Sequence, residues 1–279
     1  MKERRRSRGS SSRVRFLGAS RSPAHQRWFR TIAEHYDFLG PDPRRAQTAS
    51  AFLDRLFRTH GNVHGVLDVA CGTFSIDIPL YLKGYRVVGR DLSSHMLAVA
   101  RDNARRAGVP ANLARGDMRS LRLRRTFDAV LCLGTAFNYL TTPGDIRKAL
   151  DTFYHHLRPG GLVVLDLTNF DAWIDHPRNV GAEVDFRAHD GTRIAIFAFN
   201  EQNPSKTIHI ARFFTVFQRG KRIEIGMDES PLKVWTETNL SRALRRHGFR
   251  PIGWYGDLRV GSRYRRKESP RMIAVAVRR

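Results

Sequence analysis

Four apolar runs in this sequence end on residues that could do chemistry. In Val66-Leu67-Asp68-Val69-Ala70-Cys71-Gly72-Thr73-Phe74-Ser75-Ile76-Asp77 the run closes on an acid. It then passes through the small residues Ala70, Cys71 and Gly72 into a segment able to start a helix. Small side chains leave the amides uncovered, so a ligand can approach the backbone closely. Asp91 ends a second run, where a carboxylate can accept both hydroxyls of a ribose. Asp117, within Gly116-Asp117-Met118, follows a third, where an acid can accept an exocyclic amino group such as that of adenine. The fourth is Phe127-Asp128-Ala129-Val130-Leu131-Cys132-Leu133-Gly134, whose C-terminal end would face the same crevice. Each signal alone is weak. Together they describe a nucleotide-type cofactor site, because ligands bind beyond the carboxyl ends of such strands.

The elements that must position these residues follow from periodicity. Ala49, Phe52, Leu53, Leu56 and Phe57 recur at helical spacing after Asp42-Pro43, a capping acid followed by a residue suited to the first helical position. Val63–Val69 reads as a strand, Ser75–Lys83 as a helix, and Tyr85–Arg90 as a strand. Ser93 caps a helix running to Arg106. Asn112–Ala114 is a short strand. Phe127–Leu133 is continuously apolar, as expected of a central strand buried on both faces. Ile146, Leu150, Phe153 and Leu157 mark a helix, and Arg158-Pro159-Gly160-Gly161 turns it into the strand Leu162–Leu167. This alternation predicts an α/β doubly wound sheet. After Asn169 the segments Thr192–Asn200, Thr207–Phe217 and Arg222–Gly226 read as an antiparallel β insertion. A helix over Thr236–His247 and strands at Phe249–Tyr255 and Met272–Val277 complete the chain. The expected division is a disordered basic tail at 1–27, an α/β core at 28–170, an insertion at 171–235, and the closing core elements at 236–279.

The net charge is +23, concentrated at the two ends. Residues 1–27 carry nine Lys/Arg against one acid, and residues 242–279 carry twelve against two. Clustered cations neutralise phosphates, so RNA is a partner to weigh. Only seven of the 49 basic residues are Lys, which points to an arginine-biased composition as much as to phosphate contacts. Basic surface alone speaks for non-specific binding. No apolar run reaches the length of a membrane span. Cys71 and Cys132 lack metal-ligand spacing and any disulfide framework, which fits a reducing, cytoplasmic setting. The adjacent His155 and His156 point in different directions on a helix, so no metal site is expected.

Leu67-Asp68-Val69-Ala70-Cys71-Gly72-Thr73, Gly89-Arg90-Asp91-Leu92-Ser93, Gly116-Asp117-Met118 and Leu157-Arg158-Pro159-Gly160-Gly161 resemble the motifs of class I S-adenosylmethionine (SAM)-dependent methyltransferases. The resemblance covers residues 28–170 and the closing elements. It implies a mostly parallel seven-stranded sheet whose last strand is antiparallel. Glu34-His35-Tyr36-Asp37, Asn138-Tyr139-Leu140 and the late insertion are similar to small-molecule N-methyltransferases of the amino-sugar and glycine/sarcosine types.

The resemblance implies SAM as cofactor and a small-molecule acceptor, an amine. It places Asp68, Ala70 and Gly72 along the cofactor, Asp91 on the ribose, Leu92 on adenine, Asp117 and Met118 at the adenine edge, and Leu133 beside the methionine moiety. Tyr36 would close the pocket, and Tyr139 and Tyr36 would orient the acceptor. Arg45 would face either the cofactor carboxylate or solvent. Trp173, His209, Arg212 and Trp235 are further pocket candidates from the insertion.

Two residues depart from the family pattern. Phe74 stands where the family usually has Gly, so its ring must point away from the cofactor or fill part of the site. Arg90 replaces a usual aliphatic residue and could snorkel at the strand end. An RNA methyltransferase using the basic termini is the alternative enzyme. A non-catalytic module with a degenerate loop is the alternative that Phe74 supports. A homodimer is left open.

Overall fold

The computed structural model describes residues 13–16, 29–30, 32–38, 44–61, 63–172, 180–187, 191–203 and 205–279. In chain order the strands are β1 (Arg13–Phe16), β2 (Gly65–Asp68), β3 (Arg86–Asp91), β4 (Asn112–Arg115), β5 (Phe127–Cys132), β6 (Leu157–Thr168), β7 (Val180–Arg187), β8 (Arg193–Gln202), β9 (Ile208–Arg219), β10 (Arg222–Lys233), β11 (Phe249–Tyr255) and β12 (Arg271–Arg278). The helices are α1 (Arg45–His60), α2 (Asp77–Leu82), α3 (Ser94–Arg106), α4 (Pro143–His156) and α5 (Glu237–Arg246).

Seven strands form one sheet in the order β11-β12-β6-β5-β2-β3-β4. β4, β3, β2, β5 and β6 run parallel, and β12 and β11 add antiparallel pairings at the far end. The expected α/β sheet is therefore present. Side chains on a strand alternate between faces, so its central strands feed two cores. Val66, Leu131, Val164 and Val275 join one, which Phe52, Leu53 and Phe57 of α1 complete. Leu67, Val130, Val163 and Ala274 join the other, under Leu150 and Phe153 of α4 and Leu240 and Leu244 of α5. Fully burying one such side chain stabilises the fold by roughly 1.5–3 kcal/mol.

Local signals set the helix starts. Ser93 Oγ accepts from Met96 N at 3.3 Å, as the sequence predicts for α3. Thr142 caps α4 with Pro143 in the first turn, and Thr236 with Asn239 forms a complete capping box on α5. Asp42 and Pro43 lie outside the described residues. α1 starts from Arg44, which makes no side-chain cap bond.

The remaining strands form a second sheet, β1-β10-β9-β8-β7, antiparallel except where β1 pairs with β10. Two points differ from the sequence reading. Arg13–Phe16 lies within the stretch expected to be a disordered tail, yet it registers against Arg222–Ile225. β7 is an added strand that the alternation did not signal. Ile194 and Ile196 of this sheet pack on Ile32, Phe29 and Tyr36, while Ala211 and Leu232 pack with Phe170 and Tyr139. The sheet thus buttresses both tyrosines of the candidate site.

Candidate functional site

A cavity of about 1020 Å³ opens at the carboxyl ends of β2, β3, β4 and β5. Its walls include the ten residues that the family resemblance assigns to cofactor and acceptor: Tyr36, Asp68, Ala70, Gly72, Asp91, Leu92, Asp117, Met118, Leu133 and Tyr139. Arg45 lines it too. Parallel strands with successive crossovers deliver their loops to one edge, which is why residues 103 positions apart meet there.

The loop after β2 is held by its neighbours. Ala70 N donates to Asp68 Oδ1 at 2.9 Å, and Cys71 N to Arg90 O at 3.0 Å. Gly72 N donates to Asp91 Oδ2 at 2.9 Å, and Ser93 N to Asp91 Oδ1 at 2.8 Å. Asp91 is thereby fixed in orientation, with lone pairs left for a diol. Burial, opposed by these amide bonds, raises its pKa above the ordinary carboxylate value. Gly72 has φ 53°, a conformation in which a side chain is disfavoured.

Phe74 also takes a left-handed backbone, φ 63°, but its ring is 1% exposed and lies outside the cavity wall. It packs beside Gly89, where an added Cβ would stand 2.6 Å from Leu113, 2.8 Å from Cys71 and 3.0 Å from Phe74. The absence of a side chain on β3 thus makes the space that takes the phenyl ring away from the ligand side. Arg90 does not snorkel. It is 9% exposed, and its Nη1 donates to Gly89 O at 2.7 Å, Asn112 O at 3.1 Å and Asn112 Oδ1 at 3.2 Å.

Asp117 is engaged by Arg119, whose Nη2 donates to Asp117 Oδ2 at 2.6 Å and whose backbone N donates to Oδ1 at 2.8 Å. Those hydrogen bonds keep its pKa below the usual value. Part of its acceptor capacity is therefore committed within the protein.

On the opposite wall Phe29 stands between the two tyrosines, with ring centroids 6.0 Å from each. Burial raises both phenol pKa values, so Tyr36 and Tyr139 are neutral hydrogen-bonding groups rather than bases. Beneath Gly134 and Thr135, whose φ values are 64° and 73°, lies the buried Asp166. It accepts from Arg271 Nε at 2.7 Å and Gly134 N at 3.0 Å, while Arg45 Nη2 reaches it at 3.5 Å. Arg271 Nη1 also bonds the hydroxyls of Thr135 and Thr168, at 2.9 and 3.0 Å.

Of the insertion candidates, none with a described position lines the cavity. His209 is buried in a stack with Phe170, Arg212 pairs with Glu201 and Glu229 on the surface, and Trp235 packs on Phe137 in the core. Trp173 lies outside the described residues. Residues that the sequence did not single out include Phe29, Asp77, Asp166 and Arg271. Among the described residues no group of three metal-ligating side chains occurs and no helix is long and apolar enough to cross a membrane. Cys71 and Cys132 are free, buried thiols.

Residues 66–161 match the family model described as a methyltransferase domain. The chain is similar to a glycine/sarcosine N-methyltransferase of Parasynechococcus marenigrum, 36% identical over 152 residues, 54% of each chain. It spans about half the length of that curated relative. It is also 29% identical over 226 residues to a dTDP-3-amino-3,4,6-trideoxy-alpha-D-glucopyranose N,N-dimethyltransferase of Streptomyces venezuelae, covering 78% of this chain and 90% of the relative. A solved S-adenosylmethionine-dependent methyltransferase from Clostridium acetobutylicum shares the fold, with TM-score 0.75 and 18% identity over 90% of this chain and 99% of the other.

Proposed function

We propose that this chain, whose residues 66–161 form a methyltransferase domain of class I fold, moves a methyl group from SAM to the nitrogen of a small-molecule amine. The observation that carries this reading is the convergence of the ten predicted residues on one cavity, with Asp91 pinned by the Gly72 and Ser93 amides. The N-methyltransferase names of the relatives support an amine acceptor.

The residues fit the cofactor chemically. Asp91 offers free lone pairs to a ribose diol, Leu92 and Met118 offer apolar surface to a base, and Asp117 an acceptor beside it. Gly72 and Gly134 leave backbone open, and a Cβ on Gly134 would stand 3.8 Å from the Tyr36 hydroxyl. Asp68 and Asp77 are buried carboxyls in the wall, suited to a cation. Arg45 is 48% exposed, and its long contact to Asp166 leaves it able to meet a carboxylate.

When bound, SAM supplies an activated methyl group on a sulfonium. The chain's task is to hold the acceptor nitrogen in line with it, since positioning supplies most of the acceleration. An amine attacks only when neutral. Tyr36, Phe29 and Tyr139 make a wall that excludes water and presents two neutral phenols, which orient the nitrogen lone pair by hydrogen bonding. Residues 28–170 and 236–279 make the cofactor-binding core in this reading, and 171–235 the substrate-side insertion.

Calorimetry with SAM tests the proposal, followed by transfer of labelled methyl to glycine, sarcosine and amino sugars. Binding by the wild type, lost in Asp91→Ala, is the expected result. No binding by the wild type overturns the catalytic reading. Binding untouched by Asp91→Ala overturns the assignment of the ribose acid.

A further inference from the structure

The second sheet buries polar side chains and exposes apolar ones. Directly paired residues of antiparallel strands share a face, and successive residues alternate between faces. Thr215 pairs with Ile196, and both are buried on the face that packs on Ile32 and Tyr36. Asp228 and Ser230 are buried on the same side. On the outer face the register aligns two apolar rows across β8, β9 and β10, Ala195–Val216–Ile225 and Phe197–Phe214–Met227. Phe199 stands in the next row, its ring edge-on to Phe214 with centroids 5.2 Å apart. Phe197, Phe199 and Met227 are 39%, 37% and 58% exposed. They are three of the six exposed large hydrophobic side chains among the described residues, gathered on one face. Charge stands at the ends of the rows. Arg212, beside Phe199, is held by Glu201 at 2.9 Å and Glu229 at 2.7 Å, and Arg193 lies two rows beyond Phe197 at the opposite end.

An apolar patch rimmed by charge is the anatomy of a protein interface. Its size suits a stable one. Strands β7 to β10 lie about 4.8 Å apart and rise about 3.4 Å per residue, so ten residues of each span roughly 19 by 34 Å. Two such faces together bury about 1,300 Å², within the range of specific complexes. The pattern is also complementary to itself. A two-fold axis running across the strands through the Phe197–Phe214–Met227 row lays that row on its own copy. The same axis sets Ala195, one row to one side, over the partner's Phe199, one row to the other, so a small residue meets a large one. It sets Arg193 over the partner's Glu201, a cation over an anion.

We propose that the outer face of the second sheet is the docking surface for a second copy of this chain, paired about that two-fold axis. The two sheets then stack face to face, with their strands within about 30° of each other. The inner face of the same strands carries Ile194 and Ile196, which pack with Phe29 and Tyr36. Pairing therefore stiffens the tyrosine wall from behind, and neither copy needs to lend a residue to the other's cavity. The inference is independent of what the site methylates.

Sedimentation velocity of the full chain across a concentration series tests this. The wild type should be a dimer at micromolar concentration, with a Tm that rises with concentration. Phe197→Glu places a charge at the centre of the interface and should raise the dimer dissociation constant at least about thirtyfold, with circular dichroism unchanged. Met227→Lys makes the same test at the most exposed position of the row, should Phe197→Glu not fold. Glu201→Arg sets like charges against Arg193 and should weaken the dimer, and adding Arg193→Glu should restore it. A monomeric wild type overturns the inference. So does a monomer that dimerises only when residues 1–12 are removed, since the face then belongs to that segment. A dimer that neither Phe197→Glu nor Met227→Lys weakens has its interface elsewhere and overturns it too. Dissociation by Glu201→Arg without recovery in the double variant overturns the two-fold arrangement.

Discussion

The hydroxyl of Thr73 donates to Asp37 Oδ1 across 2.5 Å, joining the cofactor loop to a segment 36 residues earlier in the chain. Asn103 of α3 completes the link, its Nδ2 donating to Asp37 Oδ2 and to Thr73 O at 3.0 Å each. The 3₁₀ helix Ala33–Phe38, which carries Tyr36, is thereby fastened over the cavity. Asp37→Ala removes both acceptors. A hydrogen bond to a charged group is worth about 1.5–3 kcal/mol, and the exposure of Asp37 puts the expected stability loss near the lower end. SAM affinity should fall with it, because Tyr36 is no longer held. Thermal melting and calorimetry on the same preparation check the two effects.

Phe74 separates an intact loop from a degenerate one. Phe74→Gly relieves the left-handed backbone, a gain of about 1 kcal/mol, but empties a fully buried phenyl site, a loss of about 3–5 kcal/mol. We expect net destabilisation by about 2–4 kcal/mol, measured by urea unfolding, with SAM affinity changed far less than in Asp91→Ala. Gly89→Ala should destabilise by about 1–3 kcal/mol through overpacking against Leu113, Cys71 and Phe74. Gly89→Ala combined with Phe74→Leu should cost less than the sum, since the two sites share one space.

Asp68 makes stability depend on pH. Burial lifts its pKa from 3.8 to about 7 in the folded chain, with the Asp91 charge adding to the rise and the Ala70 amide opposing it. The folded state therefore keeps a proton that the unfolded chain releases. This contribution is full below about pH 4 and is lost as the pH rises through 7. Asp68→Asn should gain stability relative to the wild type over that interval, even as it loses SAM affinity. Urea midpoints for both proteins at pH 4, 6 and 8 measure the divergence; parallel midpoints would refute it.

Arg271 carries the wall opposite the loop. It is the main cation on the fully buried Asp166, and it also bonds Thr135 and Thr168. Arg271→Ala strands a buried carboxylate, for which a cost of about 3–5 kcal/mol is expected. The left-handed turn at Gly134 and Thr135 should loosen, exposing Leu133 and Tyr139. Increased hydrogen exchange at residues 133–140 is the expected signature. In contrast, Tyr139→Phe should leave SAM affinity intact and lower kcat, as measured by methyl transfer.

The core strands, the helix cap at Ser93 and the run of acids after successive strands were legible because each is a local pattern. An apolar alternation, a capping hydroxyl or an acid beside small residues acts within a few positions of itself. A parallel sheet then sends the ends of those strands to one edge, which brings Asp68, Asp91 and Asp117 to one cavity; Tyr36, Leu92, Met118, Leu133 and Tyr139 were named by the family resemblance. Tertiary structure decided what depends on distant partners. Phe74 turns away from the cavity because Gly89, on the neighbouring strand, leaves room for it. Asp117 is engaged by Arg119, and Arg90 is buried because Asn112 caps it. Trp235 enters the core because Phe137 receives it, and Arg13–Phe16 joins a sheet because β10 offers it an edge. Asp77 opens α2, and the packing around that helix leaves it buried, its carboxylate oxygens without a hydrogen-bond partner, in the wall of the cavity.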